Sequence, residues 1–299
     1  MTDFKCAGFI GMGVMGEPMC RNLAAKGGLP VLGHDRDPAP LQRLAAHGVT
    51  AAGSVAQVAS QCDIVFLSLP SGEVVDAVAR APQGLLDCAR PGQVIVDTST
   101  SPVDITRALA ADFAAKGAVF IDAPIARTRA AAEAGTLSVM VGADRAVFER
   151  VKPLIATFAE EITLCGPVGS GQVVKILNNM VLFETVAALS EARAIARRTG
   201  VDPQVLFETF MRGSADSFAL RNHGLKAILP GEFPERAFSV EYARKDLRYA
   251  LAMAKQAGVP TPGAEAVEHW FAAAIEQGHG TRYFPVISRL VDAGPTGST

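Results

Sequence analysis

The chain predicts an α/β domain followed by an all-helical domain, and three observations carry that prediction. Up to about Cys165, short apolar runs rich in β-branched residues alternate with Ala-rich stretches of helical character. After Cys165 the strand-like runs stop. The second part then opens on Gly171–Thr199, which keeps helical periodicity with no internal Gly or Pro and is long enough for a spine helix. Alternating strands and helices imply βαβ units with right-handed crossovers and a parallel sheet. The length of 299 residues agrees with two domains at roughly 150 residues each. The expected division is 1–166 and 167–299.

The expected strands, in order, are Lys5–Ile10, Pro30–His34, Ile64–Leu69, Gln93–Asp97, Ala118–Asp122, Leu137–Val141 and Glu161–Leu164. The first of these are nearly continuous apolar runs, as strands buried on both faces of a parallel sheet must be. Helices of this part fall around Glu17–Lys26, Leu41–His47, Val74–Arg80 and Pro102–Lys116. Beyond the spine helix, Asp202–Pro203 offers an N-cap with Pro at the first helical position. Further helices are expected around Pro203–Arg212, Phe218–Lys226, Ser239–Ala257 and Gly263–Gln277. Leu229–Glu235 reads as a loop and Ala293–Thr299 as a frayed tail.

Composition narrows the function classes. Lys plus Arg number 28 against 30 Asp plus Glu, a net charge of -2, so the chain lacks the basic footprint of a nucleic-acid binder. Hydrophobic residues at 49% supply a sizeable core, and aromatics at 6% leave its construction to Ala, Val, Leu and Ile. The cysteines (Cys6, Cys20, Cys62, Cys88, Cys165) are an odd, scattered set without a CxxC pair, which argues for reduced thiols and against a metal site or disulfide framework. No apolar run approaches the roughly 18 residues of a membrane helix. The start, MTDFKCAGFIGMGVMG, is interrupted by glycines and reads as structure, not as a signal peptide. A cytoplasmic protein is expected, with neither nucleic acid nor membrane as partner.

The segment KCAGFIGMGVMGEPM places Gly11-x-Gly13-x-x-Gly16 directly after a strand and at the opening of a helix. Gly11 permits the tight turn, Gly13 lets backbone approach a pyrophosphate, and Gly16 allows close helix–strand packing. Amides at the helix N-terminus then face the phosphates. The next strand ends at Asp35, 19 residues beyond Gly16, where a dinucleotide site needs an acid for the ribose hydroxyls. The α/β part is therefore expected to bind a dinucleotide. Asp35 would repel a 2′-phosphate, so NAD is expected and NADP is disfavoured. Arg36 either meets the adenine or a phosphate of the cofactor or is a solvated loop residue.

In GSGQVVKILNNMV, Lys175, Asn178 and Asn179 lie at i, i+3 and i+4 and project from one helix face. Taking a proton from an alcohol as hydride departs needs a base, and a lysine serves once desolvation or neighbouring positive charge lowers its pKa. The bland alternative is an exposed polar stripe on the spine helix. Gly169 and Gly171, at the helix start, would let a substrate carboxylate approach backbone amides.

The motifs GFIGMGVMGEPM, LSLPS at Leu67–Ser71, DTSTSP at Asp97–Pro102, DAPIARTRAAAEAGTL at Asp122–Leu137 and GSGQVVKILNN at Gly169–Asn179 together resemble the β-hydroxyacid dehydrogenases. The resemblance runs from Phe4 to about Ala293. It implies a Rossmann-type doubly wound sheet followed by a helical domain around a long helix, an active site in the cleft between domains, and a homodimer or homotetramer. It further implies Lys175 as catalytic acid–base, Asn179 orienting Lys175 or the substrate, and Asn178 bonding substrate oxygens. Cofactor contacts implied in the same way are Met12, Gly13, Val14 and Met15 at the pyrophosphate, Leu69 and Pro70 along the cofactor, Thr100 near the nicotinamide ribose, and Lys245 from the helical domain.

One loop departs from that family. Where its substrate loop usually reads DAPVSGG, this chain has Asp122-Ala-Pro-Ile-Ala-Arg-Thr-Arg129, so Ala126 replaces the serine and Arg127 and Thr128 replace the two glycines. Arginine offers a planar, permanently charged fork for an anion. The pattern is similar to sulfolactaldehyde reductases, in which the arginine grips the substrate sulfonate, although their serine after the asparagine pair is Leu182 here. Leu182 reads as an apolar substrate wall or as core packing. Arg129 and Glu133 read as a surface pair. The expected activity is NAD-dependent interconversion of a small anionic 3-hydroxy acid, or hydroxy-sulfonate, and its semialdehyde, with Arg127 on the anion. The alternatives are an imine reductase-like enzyme, which would lack the lysine–asparagine pair, and a non-catalytic dinucleotide-binding module.

Overall fold

The computed structural model describes residues 3–235 and 237–293, so the expected tail beyond Ala293 lies outside the described residues. The chain divides into two compact units, Met1–Lys175 and Ile176–Thr299.

The first unit is built on strands β1 (Ala7–Ile10), β2 (Val31–His34), β3 (Val49–Ala51), β4 (Ile64–Leu67), β5 (Val94–Asp97), β6 (Val119–Asp122), β7 (Ile125–Ala126), β8 (Leu137–Gly142) and β9 (Ala159–Gly166). The sheet order is β3-β2-β1-β4-β5-β6-β8-β7, with β9 paired to β8. From β3 to β6 every pairing is parallel, and the order reverses between β1 and β4, the switch point where such sheets bind ligands. β1, β4 and β5 are buried along their whole length, as their uninterrupted apolar sequences require. Alternate residues feed two cores. Phe9, Phe66, Val96 and Ile121 belong to one face, and Ile10, Val65, Leu67, Ile95 and Phe120 to the other.

Helices α1 (Gly16–Lys26), α2 (Pro38–Ala45), α3 (Val55–Gln61), α4 (Gly72–Arg80), α5 (Val103–Ala115), α6 (Arg129–Ala134) and α7 (Arg145–Ile155) complete the crossovers. Ser54 caps α3 by accepting from Gln57 N at 3.1 Å, and Ser71 caps α4 by accepting from Val74 N at 3.4 Å. The sequence reading left out β3, α3, β7, α6 and α7. β3 and β7 span only three and two residues, too few for a period-2 pattern.

α8 (Ser170–Arg198) begins in the first unit and runs into the second. By length and composition it is the one helix among the described residues that could cross a membrane, which the sequence reading did not anticipate. Lys175, Asn178 and Asn179 interrupt it, while Phe183, Val186 and Leu189 sit in the core of the second unit. Phe183 is the centre of that core, with Phe284, Phe271 and Phe238 ring centroids 5.1, 5.4 and 5.8 Å away. Around it pack α9 (Pro203–Phe210), α10 (Val240–Ala257), α11 (Pro262–Glu276) and α12 (Ile287–Ala293), together with Leu220–Ile228. The last is a π-helix where an α-helix was expected; Leu229 N reaches back five residues to Gly224 O at 2.8 Å.

The first unit extends past the expected boundary at 166 because the start of α8 is tied to the sheet. Asp122, at the end of β6, accepts from Gly169 N at 2.7 Å and Gln172 N at 2.8 Å. The Gln172 side chain accepts from Ser101 N at 3.0 Å and donates to Ser99 O at 2.9 Å. Asp97, level with Asp122 on β5, accepts from Ser99 N and Ser101 Oγ at 2.9 and 2.7 Å. Burial pushes the carboxyls of both Asp97 and Asp122 up to about 6.

A carboxyl whose pKa is raised by folding stabilises the fold while protonated, and that contribution is lost as pH rises through the folded value. For Asp97 the window runs from its ordinary 3.8 to about 6. Asp97→Asn removes the titration. The stability of the variant relative to the parent should therefore climb by up to about 3 kcal/mol between pH 4 and pH 7. Urea unfolding of both proteins at several pH values measures this; a difference that stays flat with pH contradicts the assignment.

Candidate active site

In the first unit the strand register brings the expected cofactor residues to one edge. Ile10 is level with His34 and Leu67, and Leu67 with Asp97. The segments that follow these strand ends carry Gly11–Gly16, Asp35, Leu69–Pro70 and Thr100. Gly11 turns the chain at φ 91°, a conformation a side chain would strain. A side chain at Gly16 would collide with the Gly11 carbonyl, so α1 can start this close to β1 only with glycine. At Gly13 the reverse holds, since a Cβ there would meet nothing within 4 Å. α1 starts from Met15 without a side-chain cap, and Glu17 N donates back to Gly13 O at 3.1 Å, which closes the glycine loop onto the helix start. Exposed Val14 and the open space at Gly13 fit the pyrophosphate of a dinucleotide.

Asp35 is held in place by backbone amides. Its two carboxylate oxygens accept from Met12 N, within the glycine loop, and from Asp37 N at 2.8 Å. The acid is thereby locked to the loop that would carry the pyrophosphate. Arg36 beside it is exposed. Leu69 N donates to Ser99 Oγ at 2.9 Å, which ties the Leu69–Pro70 loop to the Thr98–Ser101 loop.

The substrate loop has an unusual backbone. Arg127 has φ 85°, in the left-handed region, at a position where the resemblance expects glycine. Its Nη1 donates to Thr136 O at 2.6 Å and to Glu160 Oε2 at 3.1 Å. Arg127 is thus paired with a carboxylate from its own chain, and Thr128 next to it is exposed at the start of α6. Arg129 and Glu133 form the expected surface pair at 2.9 Å.

Gly169 and Gly171 differ from expectation. Gly169 N is occupied by the protein's own Asp122, and a side chain at Gly171 would collide with Met140 O and lie 2.8 Å from Asp122 Oδ2. These glycines let protein approach protein, with the Asp122 carboxylate where a substrate carboxylate was expected. Further along α8, Lys175 is buried, 8% exposed, and one helical turn later so is Asn179.

In the second unit a chain of polar contacts runs from Asn178. Its Nδ2 donates to Asn179 Oδ1 at 3.2 Å, and Asn179 Nδ2 donates to Asp246 Oδ2 at 2.8 Å. Lys245 Nζ lies 2.8 Å from Asp246 Oδ1 and over the Tyr249 and Tyr242 rings at 5.0 and 5.9 Å. Asp246, which sequence reasoning passed over, therefore joins Asn179 to Lys245. The signal was present in the Lys–Asp pair, but its target lies 67 residues away. Leu182 packs against the helical core, the second of the two readings left open for it.

The chain matches the family described as NAD binding domain of 6-phosphogluconate dehydrogenase over residues 7–166, and that described as NAD-binding of NADP-dependent 3-hydroxyisobutyrate dehydrogenase over residues 169–290. The 2-(hydroxymethyl)glutarate dehydrogenase of Eubacterium barkeri is 37% identical over 255 residues, 85% of this chain and 84% of that one. The 2-hydroxy-3-oxopropionate reductase of Escherichia coli is 34% identical over 275 residues, covering 91% of each. The solved structure of Mycobacterium tuberculosis 3-hydroxyisobutyrate dehydrogenase with L-serine superposes with a TM-score of 0.85 at 30% identity, covering 96% of this chain and 99% of that one. With both halves matched, and relatives along most of its length named for the oxidation or reduction of hydroxy acids, the chain belongs to the β-hydroxyacid dehydrogenase family of NAD(P)-dependent oxidoreductases.

Proposed function

We propose that this oxidoreductase interconverts a small 3-hydroxy acid or hydroxy-sulfonate and its semialdehyde, with Lys175 as general acid–base, Arg127 on the substrate anion, and NAD preferred to NADP. The observation that carries the reading is the buried face of α8, where Lys175 and Asn179 stand one turn apart and Asn179 is fixed by Asp246. A base that must take a proton from a hydroxyl needs a defined position and little competing water. A bound nicotinamide dinucleotide accepts or supplies the hydride. Lys175 removes the hydroxyl proton in oxidation and returns it in reduction. Asn179, unable to rotate while bonded to Asp246, orients the lysine or the substrate, and Asn178 binds a substrate oxygen.

The substrate class rests on two supports. The relatives are named for 2-(hydroxymethyl)glutarate and 2-hydroxy-3-oxopropionate, both hydroxylated carboxylates. The Arg127 guanidinium already carries a carboxylate, that of Glu160, and an incoming carboxylate or sulfonate would take that place. Holding a non-glycine residue at φ 85° costs on the order of 1–3 kcal/mol, which is the kind of strain that functional sites retain. Preference for NAD is supported by Asp35, whose fixed carboxylate would face a 2′-phosphate as a like charge.

Three outcomes test this reading. Lys175→Ala should lower kcat by about 10²–10⁴-fold while the dissociation constant for NADH changes less than about threefold. Wild-type turnover in that variant removes the assignment. Arg127→Gly keeps the backbone conformation without strain. It should raise KM for the anionic substrate by about tenfold or more, as expected for a lost charge-assisted hydrogen bond, with kcat and folding stability nearly unchanged. An unchanged KM across a panel of hydroxy acids and hydroxy-sulfonates places the anion elsewhere. NADH should bind at least about tenfold more tightly than NADPH in a fluorescence titration; equal affinities refute the role given to Asp35.

A further inference from the structure

At the opposite end of β1 from the glycine loop, two cysteines meet. Cys6 immediately precedes β1 and Cys62 closes α3 just before β4, and their sulfurs are 3.3 Å apart although the residues are separated by 56 positions. β1 and β4 pair in parallel with Ala7 level with Ile64, so Cys6 and Cys62 stand on neighbouring chains offset by about one residue. With strands about 4.8 Å apart and a rise of about 3.3 Å per residue, their Cα atoms are about 6 Å apart, within the span a disulfide bridges.

The local packing directs both side chains to the same face. Cys6 has the parity of Gly8, and a Cβ added at Gly8 would lie 3.3 Å from Cys62 Sγ. The absent side chain at Gly8 is what gives Cys62 its room. The Cys62 backbone is fixed, its carbonyl accepting from Arg90 Nη2 at 2.7 Å and from Gln93 Nε2 at 2.8 Å. On the other chain, Asp63 N donates to Cys6 O at 3.0 Å, and Asp63 Oδ2 accepts from Cys6 N at 3.3 Å. Closing the remaining distance between the sulfurs is a matter of side-chain rotation on two anchored backbones.

We propose that Cys6 and Cys62 form a reversible oxidation site that a hydroperoxide converts to an intramolecular disulfide. Cys6 is half-buried and Cys62 is buried, so Cys6 meets the oxidant first. Burial, with the neighbouring Cys6 sulfur, pushes the Cys62 thiol up, so Cys62 is not the thiol that meets the oxidant; it attacks only because it is held against Cys6. The Cys6 thiolate attacks the terminal oxygen of the hydroperoxide, the O–O bond breaks, an alcohol (or water, from hydrogen peroxide) leaves, and Cys6 becomes a sulfenic acid. The Cys62 sulfur then attacks Cys6 Sγ, the S–O bond breaks, and water leaves. Two thiols lose two electrons and two protons, and the hydroperoxide takes up both. The adjacent resolving thiol halts Cys6 at the reversible disulfide, short of the irreversible sulfinic and sulfonic acids.

The reduced full-length chain, treated with tert-butyl hydroperoxide, then denatured, alkylated and digested, tests this. The expected result is loss of two of the five alkylatable thiols and a linked pair of peptides carrying Cys6 and Cys62. The linked pair is about 2 Da lighter than the sum of the separate thiol peptides, and dithiothreitol restores both thiols. In Cys62→Ser the linked pair disappears and Cys6 sulfenic acid becomes trappable with dimedone. Retention of all five thiols under conditions that oxidise a free model thiol overturns the proposal. So does oxidation of Cys6 to sulfinic or sulfonic acid with Cys62 still alkylatable, or a cross-link that joins either residue to another cysteine.

Discussion

The first unit depends on one carboxylate. Asp122 uses both oxygens on amides of the start of α8, Gly169 and Gln172, and so places a negative charge at the positive end of a helix that runs to Arg198. Gln172 adds a second tie through Ser99 and Ser101, which are themselves held by Asp97. The ends of β5 and β6 therefore determine where α8 begins and how it is rotated. Because a helix turns about 100° per residue, an origin set at residues 169–172 also sets which way Lys175 faces. The two carboxylates are buried side by side at a cost in stability, visible in their raised pKa values. The two oxygens of one carboxylate let Asp122 take the amides of Gly169 and Gln172 separately, one on each oxygen.

This also accounts for the glycines of the region. A side chain at Gly142 or at Gly171 would intrude on Asp122, while Gly169 bends the chain at φ 93° and offers it an amide. The GSG sequence at the helix start predicts an opening for a substrate carboxylate. In the structure the Gly169 amide is taken by an internal carboxylate, that of Asp122. Amino-acid type and spacing reveal that a helix start will bind an anion; they do not say whose anion, because Asp122 is 47 residues upstream.

The same distinction explains what the sequence made legible. The parallel strands β1, β4 and β5 were visible because complete burial leaves uninterrupted apolar runs, and α9 because its cap is written into Asp202–Pro203. α2, expected from Leu41, starts three residues earlier at Pro38, where Asp37 caps it. The nucleotide loop and its acid were visible because their geometry is local, a turn and a helix start within one βαβ unit. β7, with two residues, and α6, with six, leave no period to detect. The π-helix at Leu220–Ile228 was invisible for a different reason. Its buried positions, including Leu220, His223, Gly224, Ala227 and Ile228, have the spacing of an α-helix. Asp246 eluded the reading because its importance is relational: it is a buried carboxylate only in the presence of Asn179 and Lys245.

Arg127 shows how such relations can shift without disturbing the frame. A loop built for glycine tolerates φ 85° at no cost, and placing arginine there keeps the path of the chain while adding a charge. The path survives because it is held from outside the residue: Ile125 and Ala126 pair with Val139 and Ser138 of β8, and the guanidinium is fixed by Thr136 O and Glu160. The strain at Arg127 is thus borne by the β7–β8 pairing and by Thr136 O and Glu160, none of which is among the groups bonded to Asp122 at the start of α8. Arg127 and the start of α8 are held by separate contacts. A change of side chain at residues 126–128 therefore leaves the bonds from Gly169 N and Gln172 N to Asp122 as they are.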